Sequence, residues 1–148
     1  MLNKKEFYPQ LLVFLQFALI GLIYLFSKGV FSSLVSMSIF LLGAGLGIWA
    51  LLHNRLGNFN IQPKMKEGAV LVTSGIYAFI RHPMYLSVII MSFAMVLSSV
   101  TLLQTSLFIA LIWVLFLKAK REESIWMEEG EDYVNYKANT KLFIPFVL

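Results

Sequence analysis

Four stretches of nearly uninterrupted apolar residues, about 10–26, 30–52, 84–100 and 102–117, constrain this chain more than any other feature. A helix of about 20 apolar residues crosses the hydrocarbon core of a bilayer, and lipid offers no partner to an unpaired backbone N–H or C=O, so such runs fold as helices. Of 148 residues, 59% are hydrophobic, and the mean hydropathy is +0.77. Soluble domains hold roughly 45–50%. The runs are too many for a signal peptide ahead of a soluble domain, and the first lacks a clear small-residue cleavage site. The expected fold is an all-α integral-membrane protein of about four transmembrane helices, in one domain over residues 1–148. A loop at 53–83 and an amphipathic tail at 118–148 complete it, meeting as a pocket on one side of the bilayer.

The cations set the orientation. Lys4 and Lys5, then Arg55, Lys64, Lys66 and Arg81, then Lys118, Lys120 and Arg121 share one side if four helices cross, while the other receives only Lys28. By the positive-inside rule both termini and the long loop are cytoplasmic, which in a bacterium means the inner membrane. The net charge of +4 is scattered over short segments beside apolar runs rather than gathered on one basic face, so anionic lipid headgroups are its expected partner and nucleic acid is not. The chain has no cysteine, which removes disulfides, thiolate metal sites and a cysteine nucleophile. His53 and His82 alone make a poor zinc ligand set. No Ser/His/Asp spacing and no phosphate-cradling Gly-Lys-Ser/Thr loop is present.

Polar, helix-breaking and ionisable residues crowd into Leu71–Tyr85, against the start of the third apolar run. Gly75 admits backbone conformations closed to other residues, and Pro83 favours the first turn of a helix, which places Arg81 and His82 at a helix entrance. There they serve either as interfacial anchors or as part of a site. Six of the eight acidic residues lie between Glu122 and Asp132, interleaved with Ile125 and Trp126 and followed by Tyr133 and Tyr136, which suits an amphipathic, partly helical tail on the cytoplasmic face. The closing Leu142-Phe143-Ile144-Pro145-Phe146 is expected to dip into the interface. Gly43, Gly45 and Gly47 in the second run allow close helix approach, within the chain or in a homo-oligomer. The loop and the tail share one side, so Arg81, His82 and Tyr85 can meet Glu122 and Glu123. A ligand carrying both a carboxylate and a cation suits such a set, S-adenosylmethionine among others, though the residues alone do not choose it.

The run Leu71-Val72-Thr73-Ser74-Gly75-Ile76-Tyr77, then Arg81-His82-Pro83-Met84-Tyr85, then Glu122-Glu123, Gly130-x-x-Tyr133 and Tyr136 resembles the isoprenylcysteine carboxyl methyltransferase family. The likeness extends upstream through Leu56-Gly57-Asn58-Phe59-Asn60 and Gln62, and downstream to Pro145. The Arg-His-Pro-x-Tyr element is also shared with phospholipid methyltransferases and sterol reductases. The resemblance implies an enzyme that takes S-adenosylmethionine from the cytoplasm and methylates a lipophilic acceptor arriving from the bilayer: an isoprenylcysteine carboxylate, a phospholipid or another small hydrophobic molecule. It implies that Gln62, Leu71, Val72, Tyr77, Arg81, His82, Pro83, Tyr85 and one or both of Glu122 and Glu123 line the cofactor, with His82 and Glu122 positioning it. Lys118 or Arg121 would hold an anionic acceptor. The chain departs from the family pattern at Ala69, where a histidine is common, and at Lys118, where an arginine is expected. The spacing from Glu123 to Gly130 is a residue short, which leaves Glu122 and Glu123 as alternatives. Two rival readings stand beside this one, a nicotinamide-dependent membrane reductase and a non-catalytic small membrane protein.

Overall fold

A computed structural model of the chain describes residues 4–54 and 70–144. Gln62, Arg55, Lys64, Lys66, the 56–60 motif, Ala69, Pro145 and Phe146 lie outside the described residues. Among the described residues five α-helices follow in order: α1 Lys4–Phe26, α2 Leu34–His53, α3 Pro83–Leu97, α4 Leu102–Glu129 and α5 Glu131–Asn139. Short 3-10 turns occupy Val30–Ser32 and Gly75–Ala78. Helices α1, α2 and α4 are each long and apolar enough to cross a membrane. Helix α3, with 15 residues, is shorter, reaching about 22 Å at 1.5 Å per residue.

Several helix boundaries differ from the sequence expectation, among them the end of α3, which comes at Leu97 rather than about residue 100. Helix α1 begins before Pro9 rather than after it, and the Pro9 ring is fully buried. Helix α2 starts at Leu34, because the Ser33 hydroxyl accepts from the Ser36 N–H at 3.0 Å and caps it. Helix α4 does not stop at 117. Residues 118–129 are mostly Lys, Arg, Glu, Ala and Met, which favour helix, and nothing breaks the helix until Gly130, whose φ of 155° few other residues adopt. Hydropathy marks where the chain leaves lipid, not where its helix ends.

Helix α2 packs against α3, α1 against α4, and α3 bridges to both α1 and α4. The α2–α3 contact is close because Gly43 and Gly47 face α3. A Cβ on Gly43 would meet Met91 Cγ at 2.9 Å, and one on Gly47 would strike the Ser87 hydroxyl, which donates to the Gly43 carbonyl at 2.8 Å. Two of the three glycines are thus used within the chain, whereas Gly45 faces open space. At one end of the bundle, Ser98 and Ser99 in the α3–α4 turn bond to the backbone of Lys28 and Phe26. The other end carries everything chemically dense.

Candidate active site

That end is assembled from three segments. The 3-10 turn Gly75–Ala78 folds against the end of α2: His53 Nε2 lies 3.0 Å from the Ser74 hydroxyl and its ring stacks with Tyr77. Gly75 has φ 61°, and a Cβ there would lie 2.6 Å from the His53 ring, so the position requires glycine. Next, the chain after α5 runs back beside residues 79–82 in a parallel bridge between Ile80 and Lys141. Arg81 and His82 donate backbone N–H groups to the Lys141 and Leu142 carbonyls at 2.8 and 3.1 Å. Finally, Pro83 opens α3 and brings Tyr85 level with α4.

Arg81 reaches into the tail. Its Nε donates to Glu123 Oε1 at 2.6 Å and its Nη1 to the carbonyls of Lys137, at 3.2 Å, and Thr140. Glu123 is almost fully enclosed, its other oxygen 3.0 Å from Lys137 Nζ. His82 lies between the two glutamates, with Nδ1 3.4 Å from Glu122 and Nε2 3.8 Å from Glu123. The second distance is too long for a hydrogen bond, and His82 Nε2 is buried without one. Burial pushes the imidazole pKa down, but the two carboxylates outweigh it and hold it above its ordinary value. The His82 ring stacks parallel on Tyr85 at 5.4 Å, and Phe143 stands edge-on to both. Tyr85 donates its hydroxyl to Glu122, which remains 23% exposed where Glu123 is 1% exposed. Glu122 is therefore the carboxylate that opens outward.

The other expected residues within the described chain are placed as follows. Tyr77 is buried, with its hydroxyl 3.4 Å from the Ala50 carbonyl, its own carbonyl accepting from Tyr136 at 2.7 Å, and its phenol pushed up to about 12, chiefly by burial. Leu71 and Val72 are half-buried, Val72 packing against the Ala50–Ile80 cluster. Arg121 is exposed. Lys118 is 1% exposed, its ammonium 2.5 Å from Gln16 Oε1 on α1 and 5.1 Å from the centre of the Tyr85 ring.

Leu142 and Phe143, expected to dip into the interface, are packed within the protein instead. They are buried against Ala119, Phe116 and Tyr85, because the bridge to Ile80 draws this segment inward. Phe143 also separates the polar cluster from an apolar groove of about 310 Å³, lined by Leu86 and Ile89 of α3, Ile112, Trp113 and Phe116 of α4, and Ile144. Sequence reasoning missed Gln16, Lys137, Thr140 and Phe143 as members of the site. A polar residue inside an apolar run was the available sign for Gln16; Lys137 and Thr140 carry no sign in a polar tail.

Residues 34–129 match the family model described as the isoprenylcysteine carboxyl methyltransferase family. The chain belongs to this family. Protein-S-isoprenylcysteine O-methyltransferase of Mus musculus is 30% identical over 94 residues, 61% of this chain and 33% of that protein. The Saccharomyces cerevisiae protein of the same name is 29% identical over 89 residues, 59% of this chain and 37% of its own. The chain thus spans about a third of the length of these relatives. Among solved structures, a eukaryotic intramembrane Ras methyltransferase of this family superposes with a TM-score of 0.63 at 23% identity, over 99% of this chain and 55% of that one. Its fold is shared, and with the apolar helices it makes this chain an integral-membrane protein.

Proposed function

We propose that this protein transfers a methyl group from S-adenosylmethionine to a lipophilic acceptor at the cytoplasmic face of its membrane. The observation that carries the reading is the junction at Phe143, where a cluster of Arg81, His82, Tyr85, Glu122 and Glu123 meets a wholly apolar groove between α3 and α4. The donor set fits the cofactor. Glu122 offers an outward-facing carboxylate to a cation, Phe143 offers an aromatic ring, and the buried, unbonded His82 Nε2 offers a polar contact. Gln62, Leu71, Val72, Tyr77 and Pro83 complete the proposed lining.

When bound, the sulfonium supplies an activated methyl that passes by in-line displacement to the acceptor, so the protein needs no nucleophile of its own. The residues align and exclude water. Arg81 and Glu123 fix the tail over the site, Phe143 closes its apolar side, and the groove admits the acceptor from the bilayer. The family's methyltransferase name favours this over the nicotinamide-reductase and non-catalytic readings. An isoprenylcysteine carboxylate, as in the names of the relatives, is the first acceptor to try, with phospholipid and small isoprenoids beside it. With Lys118 buried under Tyr85, an acceptor anion would look to an exposed cation of α4, Lys120 or Arg121.

Calorimetric titration of detergent-purified protein with S-adenosylmethionine and S-adenosylhomocysteine tests the reading. Micromolar binding, about −8 kcal/mol, lost in Glu122→Ala and His82→Ala, is expected. Well-folded protein that binds neither compound refutes it.

A further inference from the structure

The groove between α3 and α4 is wholly apolar and encloses about 310 Å³. A methylene fills about as much space as a water molecule, roughly 30 Å³, so the groove holds on the order of ten carbons of a single chain. The paired chains of a phospholipid exceed it. Whatever fastens the polar end of an acceptor must therefore stand at the mouth of the groove. Trp113 and Phe116 line it from α4, and Lys120 continues their stripe one turn beyond Phe116, toward the polar end of the bundle. At about 3.6 residues per turn, Lys120 lies about 40° round the helix from Phe116, whereas Arg121 lies about 140° away, off the groove face.

The contacts of Lys120 are weak ones. Its ammonium is 5.4 Å from the centre of the Phe116 ring, a cation–π contact at a half-exposed site. It is also 3.8 Å from Glu123 Oε2, beyond hydrogen-bond reach, and Glu123 already has Arg81 at 2.6 Å and Lys137 at 3.0 Å. Lys120 can turn to another anion without leaving Glu123 unpaired.

We infer that Lys120 is the specificity-determining cation of the acceptor site, pairing with the carboxylate of a single-chain amphiphile whose hydrocarbon fills the groove. Methylation of that carboxylate joins one of its oxygens to the methyl carbon as the S–C bond breaks; sulfur keeps the electron pair of that bond and no proton moves. The product is a neutral ester, and Lys120 loses its partner. The same side chain thus favours acceptor over product. This consequence rests on the proposed methyl transfer, whereas the pairing is testable without the cofactor.

The probe is bromoundecanoate with its bromine at the far end of the chain, where it quenches the fluorescence of Trp113 in the groove lining. Trp49→Phe and Trp126→Phe leave Trp113 as the one tryptophan. Nanodiscs of neutral lipid are used at about pH 8.5, where the carboxylate stays ionised although a lipid environment raises its pKa. Partition into lipid is common to all variants, so the saturable part of the quenching reads the site. Lys120→Met weakens carboxylate binding about fivefold to tenfold, between the loss of an exposed ion pair and that of a charge-assisted hydrogen bond. Lys120→Arg retains it. The methyl ester of the probe binds wild type and Lys120→Met alike.

Equal affinity of the carboxylate for wild type and Lys120→Met overturns the inference, as does an equal loss for the ester. So does a loss in Arg121→Met or Lys141→Met, both exposed, that Lys120→Met does not share. Saturable, Lys120-dependent quenching by an anionic phospholipid with brominated chains, and none by bromoundecanoate, overturns it in favour of a bilayer lipid. If Lys120→Met does not fold, Lys120→Gln decides by the same outcomes. Wild type that binds bromoundecanoate through Lys120 but fails to bind S-adenosylhomocysteine overturns the methyl-transfer reading and leaves the pairing standing.

Discussion

Replacing Arg81 with alanine tests how the tail is fastened over the site. The Arg81 side chain is 8% exposed and the Glu123 side chain 1% exposed. Removing one member of a buried ion pair costs about 3–5 kcal/mol, because the other charge stays behind. Here Glu123 keeps Lys137 at 3.0 Å, with Lys120 and His82 each at 3.8 Å, which pulls the cost toward the low end. The Lys137 and Thr140 carbonyls lose a cationic donor at the same time, about 1–3 kcal/mol for each acceptor left dry, though contacts in one network do not add. The expected loss is about 3 kcal/mol, read from reversible unfolding in mixed micelles. Limited proteolysis should also begin to cut between Lys137 and Ile144. Arg81→Met with Glu123→Leu removes both charges, leaves Lys137 to solvent and should recover most of the loss. An Arg81→Ala protein within about 1 kcal/mol of wild type, or a double variant no more stable than the single one, would refute the clamp.

Three further outcomes are expected. His82 has a folded-state pKa above its ordinary 6.5, so its contribution to stability is full below 6.5 and is lost as pH rises through the raised value; a melting series over pH should show that fall in wild type and not in His82→Gln. Gly43→Ala forces Met91 to move and should destabilise by about 1–3 kcal/mol, while Gly45→Ala, facing open space, should be neutral or stabilising by up to about 1 kcal/mol; thermal unfolding in detergent compares them. Ile112→Trp fills much of the groove and should abolish labelled-methyl transfer to a lipophilic acceptor with S-adenosylhomocysteine affinity unchanged, whereas equal loss of both would refute a separate acceptor path.

Length and apolarity made the membrane helices legible, and Pro83 marked a true helix start because proline geometry is local chemistry. Arg81, His82, Tyr85, Glu122 and Glu123 stood out by being ionisable beside an apolar run, and the fold brings all five together. What could not be read was long-range. Nothing in the composition of α1 says that Gln16 meets Lys118, 102 positions on. Nor does the Leu142–Phe143 pair reveal that a single bridge to Ile80 buries it, since the same two residues would suit a lipid interface equally well.

The clamp also orders events during synthesis. Arg81 leaves the ribosome 42 residues ahead of Glu123 and 59 ahead of Thr140. Until those residues emerge, the contacts that enclose its guanidinium in the folded chain cannot form. The latch on the finished end of the chain is therefore the last part of the site that synthesis can complete.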